Sequence, residues 1–152
     1  MKKLILLTLV ILFSAQSFSQ SLEGVWEGKF VTCQRGSALY NVPIDTTSIK
    51  LRFIPDGHNS YDVYSVTRDT VSSYREITVI CKMVYKLQKG SILLEETEVI
   101  DPKNYETPCF QKMKLKIKKQ GEIIRLEGTW TNDLSKDCRD SGIIYFEKLI
   151  VK

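Results

Sequence analysis

Imidazole is almost absent from this chain: His58 is the single histidine among 152 residues. That scarcity disfavours catalysis by a histidine base, and it disfavours most zinc sites, which draw on several His and Cys ligands. No C-x-x-C pair occurs, and the four cysteines, Cys33, Cys81, Cys109 and Cys138, lie 48, 28 and 29 residues apart. Such spacing fits neither a clustered metal site nor a dithiol redox motif, so no metal and no cofactor is expected. The apolar stretch Leu4–Phe13 has ten residues, far short of the roughly 20 that cross a bilayer as a helix. Nothing sustains a 3.6-residue apolar period, so helical architectures are not expected.

What is present begins with a leader. Met1-Lys2-Lys3 is a basic start, the apolar stretch follows, and small and polar residues run from Ser14 to Gln20. This is the layout of a signal peptide, with cleavage expected between Ser19 and Gln20. No cysteine follows the apolar run closely enough for lipid anchoring. Residues 1–19 are read as signal peptide and 20–152 as one domain, exported to the periplasm or secreted, with no stable membrane insertion after cleavage. Losing Lys2 and Lys3 but no acid lowers the formal charge from +4 to +2. That is too small a basic excess for a nucleic-acid partner. An even cysteine count in an exported domain reads as two disulfides, with three pairings possible.

The mature chain alternates with period two, the strand signature. Leu22, Gly24, Trp26, Gly28 and Phe30 share one face of a strand from Leu22 to Cys33. Further strands are predicted at 48–54, 61–67, 77–87, 91–100, 110–118, 122–130 and 142–151, eight in all. Pro55-Asp56-Gly57, Lys89-Gly90 and Gln120-Gly121 mark turns. Connections at 55–60, 88–90 and 119–121 are short, whereas those at 34–46, 68–75, 101–109 and 131–141 are long. Regular alternation of short and long predicts an eight-stranded antiparallel up-and-down β-barrel, tight at one end and open at the other, with a β-sandwich as the alternative. In that barrel Cys109 and Cys138 meet at the open end, which favours the pairing Cys109–Cys138 with Cys33–Cys81. Cys81 shares the inward parity of Val79 and Met83.

One internal echo stands out: Leu22-Glu23-Gly24-Val25-Trp26 against Leu126-Glu127-Gly128-Thr129-Trp130. Gly24 and Gly128 are expected to leave holes that an indole two residues on fills, making Trp26 and Trp130 structural residues. Gly24-Val25-Trp26 at the start of an eight-stranded pattern resembles the G-x-W signature of lipocalin and avidin-like barrels. The resemblance extends to small exported bacterial barrels of unassigned function, through Cys109, Leu115, Leu126, Gly128, Trp130, Cys138 and Gly142. It implies that Trp26 closes the floor of a cup. No threonine-aspartate-tyrosine turn follows, and for the arginine that covers this tryptophan in lipocalins the nearest basic residue is Lys148.

Other features read plainly. His58 falls in a turn at the closed end and should be solvated. Glu95, Glu96, Glu98 and Asp101 are expected to form a solvated strand face, Glu96 and Glu98 sharing one side. Lys112, Lys114, Lys116 and Lys118 form an outer stripe that acids on neighbouring strands can meet. The expected function is non-enzymatic: a binding module that holds a small or extended ligand at the open mouth. Trp130, Tyr40, Tyr74, Tyr105 and Arg68 are its candidate contacts, around a cavity with apolar walls. The alternative is a barrel that binds an extracytoplasmic protein, such as a protease inhibitor. An enzyme would require a buried, perturbed carboxylate or histidine near the mouth.

Overall fold

The computed structural model describes residues 22–33, 43–58, 60–71, 75–105, 108–121, 123–132 and 141–149. The signal-peptide reading of residues 1–19 lies outside them. The described residues form eight strands and no helix: β1 (Gly24–Cys33), β2 (Pro43–Pro55), β3 (Tyr61–Val71), β4 (Arg75–Gln88), β5 (Ser91–Asp101), β6 (Gln111–Gln120), β7 (Ile123–Asn132) and β8 (Ser141–Leu149). Each pairs antiparallel with the next, and β1 also pairs with β8 through Gly28↔Phe146 and Phe30↔Ile144. The sheet therefore closes into an up-and-down barrel rather than splitting into a sandwich, and closure removes both sheet edges.

Three strands are longer than the alternation of apolar residues predicts. β2 begins at Pro43, and β3 and β4 extend until only residues 72–74 separate them. The long connection expected at 68–75 is thus mostly ladder, with Arg68↔Thr78, Thr70↔Glu76 and Val71↔Arg75 in register. Beyond the core these segments are held by backbone pairing, and an apolar pattern cannot mark them.

The closed half of the lumen is filled by its own side chains. Trp26, Leu51, Phe53, Leu115, Leu126 and Phe146 are fully buried. Around Phe53 the rings meet edge to face, with Trp26 at 6.4 Å, Tyr61 at 5.7 Å and Tyr85 at 6.4 Å between centroids. The Trp26 indole donates to the Leu22 carbonyl at 2.7 Å. Lys148 Nζ stands 5.5 Å from the Trp26 ring centroid and donates to the Glu23 carbonyl, a cation over an aromatic face. Gly24, at φ +107°, leaves room for that ammonium, since an added Cβ would lie 3.3 Å from Nζ. At both glycines the reason differs from the one expected, a hole filled by the indole two residues on: Gly24 makes way for Lys148. A Cβ at Gly128 would come within 1.8 Å of the Lys114 carbonyl oxygen, so this residue lets β6 approach and does not make a hole for Trp130.

Outside, charges face one another across the ladders. Lys112 pairs with Glu95 at 2.8 Å, Lys50 with Glu27 at 2.6 Å and Arg125 with Glu147 at 2.7 Å, and Lys118 pairs with Glu127. The lysine stripe is thus a solvated face with acids beside it. His58 is exposed in the β2–β3 turn, its N–H bonded to Asp56 Oδ1 at 2.8 Å, at the end opposite the mouth.

Candidate functional site

Following each inward-facing stripe toward the open end, the side chains change character at one level. Phe30 gives way to Thr32 on β1, Ile49 to Thr47 and Asp45 on β2, and Val63 to Ser65 and Thr67 on β3. On β4 Met83 gives way to Cys81, on β5 Leu94 to Glu96, on β6 Met113 to Gln111, and on β7 Trp130 to Asn132. Six strands switch from large apolar to polar groups, and on β4 the small Cys81 stands between Met83 and the buried Val79. The small groups do not fill the lumen as the aromatics below do, and a cavity of about 290 Å³ opens there. That volume lies at the lower bound for small-ligand sites, roughly 300 Å³.

Of the five expected contacts, Trp130, Tyr105 and Arg68 line this cavity. Tyr40 and Tyr74 lie outside the described residues. Trp130 is 5% exposed, packs against Phe30 with centroids 4.9 Å apart, and points its indole N–H at the Val31 carbonyl at 3.4 Å. The walls are not apolar as expected: Asp45, Thr47, Thr67, Glu96, Gln111 and Asn132 all contribute.

Glu96 is the residue that sequence reading misplaced. It is 6% exposed and faces inward, whereas Glu98 is exposed. A β-bulge separates them: Glu96 pairs with Met83 and Glu98 with Lys82, so Thr97 is the extra residue and the parity inverts. Glu96 continues the stripe of Ile92 and Leu94, whereas Glu95, Glu98 and Asp101 are exposed as expected. At this level the β5–β6 ladder also stops, its last pair being Glu95↔Lys112. Glu96 substitutes for the missing backbone acceptor, taking the Gln111 N–H on Oε2 at 2.9 Å and the Ser65 hydroxyl on Oε1.

Burial pushes the Glu96 carboxyl above its ordinary range, and the bonds from Ser65 and Gln111 only partly offset this. Two acceptors, Gln111 Oε1 and Asn132 Oδ1, are buried without a hydrogen-bond partner among the described residues. Such orphans are uncommon in folded proteins. Both belong to residues lining the cavity.

The cysteines depart from the expected scheme. Cys81 is free and buried, and Cys109 is disulfide-bonded. The expected Cys33–Cys81 bridge is thus not formed. β2 and β3 lie between their strands, and three strand steps of about 4.8 Å exceed the roughly 7 Å Cα separation a disulfide spans. The expected Cys109–Cys138 pairing involves Cys138, which lies outside the described residues, as does the Cys33 side chain. Burial first, and then the Glu96 charge, push the Cys81 thiol from 9.0 up to about 12. Only the thiolate is nucleophilic, so iodoacetamide at pH 8 is expected to alkylate Cys81 about a thousandfold more slowly than an ordinary thiol. Mass spectrometry should find it unmodified in the folded protein and labelled after denaturation; rapid labelling in the fold would contradict this placement. Among the described residues, no group of three His, Cys, Asp or Glu could hold a metal ion.

Comparison with protein-family models, with curated proteins and with solved structures finds no match for this chain.

Proposed function

We propose that this chain is an exported, non-enzymatic binding module that takes a small ligand at the open end of its barrel. The observation that carries the reading is the half-filled lumen: aromatics plug one end, and a cavity of about 290 Å³ remains at the other. Strand order, Trp26 at the floor and Lys148 over it support kinship with lipocalin-like or avidin-like barrels. Exposed Lys50, Arg52, Lys112 and Lys114 on the outer wall suit water, whereas a membrane barrel carries its apolar band outside.

The chain's two tryptophans supply a clean readout. In a ¹⁵N–¹H spectrum each indole N–H gives one peak, and Trp130→Phe identifies the mouth peak. Fragments of about ten to fifteen heavy atoms should move the Trp130 peak and leave that of Trp26 in place. A fragment set that never moves it, or binders that shift only other residues, would refute the reading. Glu96 is also the buried carboxylate that an enzymatic reading requires, and mass spectrometry of recovered binders separates the two. A binding module returns them unaltered, and a converted fragment would mean catalysis.

A further inference from the structure

We infer that the ligand of the mouth cavity is a primary ammonium attached to a small apolar or aromatic body, its nitrogen seated against Glu96, Gln111 and Asn132. This rests on the binding reading above and names the ligand class for that site.

Three observations converge on it. Glu96 is the one charged side chain buried in the described cavity lining, and Asp45 and Arg68, the other two charges there, are both exposed and opposite in sign. The deep part of the cavity therefore carries an uncompensated negative group. Second, two residues of the same lining carry buried acceptors without partners among the described residues, Gln111 Oε1 and Asn132 Oδ1. A carboxylate with two further acceptors calls for a donor-only group, and an ammonium brings three N–H donors and no lone pair. An anion would face three acceptors, and an alcohol would answer one of them. Third, Phe30 and Trp130 form a tilted aromatic pair on the same cavity. Aromatic faces attract ammonium groups and pack the apolar body that carries them. Burial holds the Glu96 carboxyl above its ordinary range, and a seated cation would supply the counter-charge the fold itself withholds.

The test uses three probes of one shape and different charge: phenethylamine, 2-phenylethanol and phenylacetate, titrated at pH 7.5 against the Trp130 indole peak. The amine is expected to bind about tenfold more tightly than the alcohol, the ratio expected when a charge-assisted hydrogen bond replaces a neutral one. Phenylacetate should be the weakest. In Glu96→Gln, which keeps shape and one acceptor, the amine-to-alcohol ratio should fall to near one. A ¹⁵N–¹H spectrum unchanged away from the cavity shows the variant folded. Equal or tighter binding of alcohol or phenylacetate in the wild type overturns the inference, as does a Glu96→Gln protein that keeps the amine preference. If none of the three binds but other fragments move Trp130, the ammonium inference falls and the binding reading stands. If nothing moves Trp130, both fall.

Discussion

Trp26→Ala is expected to lose about 3–5 kcal/mol of stability, read as a lowered urea midpoint with an unchanged denaturant slope. Removal of a fully buried indole leaves a cavity deep in the plugged end, where Phe53, Tyr61 and Tyr85 already lock one another edge to face. Strands fixed by a closed ladder cannot collapse onto that space. The Leu22 carbonyl also loses its 2.7 Å donor, and Lys148 loses the ring beneath it. A loss of this size is a large fraction of what a domain commonly has in total. Trp130→Ala makes a contrast within the same echo of sequence. Its ring borders the open cavity, so truncation widens a space that already exists, and its cost should fall at or below the low end of that range. Equal losses for the two variants would mean that the barrel is not divided into a plug and a mouth.

That division was only half legible in the sequence. The plug is written in apolar residues at alternate positions, and period-two reading finds it: Trp26, Phe30, Leu51, Phe53, Met113 and Leu115 all point inward. The barrel order followed from the connections, even though the β3–β4 connection proved shorter than expected. The mouth is written in Thr32, Thr47, Ser65, Glu96, Gln111 and Asn132, each two residues beyond a large apolar side chain on its strand. Polarity at those positions looked like a strand ending or a solvated face. Carrying the inward parity two residues further finds Thr32, Thr47, Ser65, Gln111 and Asn132 as lumen residues, and Glu96 too, since the bulge at Thr97 comes after it. What parity alone could not reveal is that Glu98 leaves the stripe, because no glycine or proline marks the bulge. Cys81 was correctly placed inside. The error lay in pairing it with Cys33, an inference from parity and chain end that ignored how many strands stand between them.

Stability should depend on pH through Glu96, with a sign opposite to that of most carboxylates. Burial raises this carboxyl above its ordinary value of 4.5 in the folded chain, whereas in the unfolded chain it titrates normally. Between those two values the folded state holds more protons than the unfolded one. The unfolding free energy therefore falls as pH rises through that window, and is level below and above it as far as Glu96 is concerned. A salt-bridged carboxylate, with its value depressed, would do the reverse. Glu96→Gln carries no proton at this position but keeps an acceptor for the Ser65 hydroxyl or the Gln111 N–H. Urea unfolding of both proteins from pH 4 to 8 isolates the term, since every other titrating group is common to both. Cys81, pushed up to about 12, stays protonated throughout. The expected result is a wild type that loses ground to Glu96→Gln with rising pH. Saturating phenethylamine should flatten that loss, because the bound cation favours the ionised carboxylate. A difference that stays constant over the range would mean that the folded chain leaves Glu96 at its ordinary value, and one that grows in favour of the wild type that the fold stabilises its anion; either contradicts the expected burial shift.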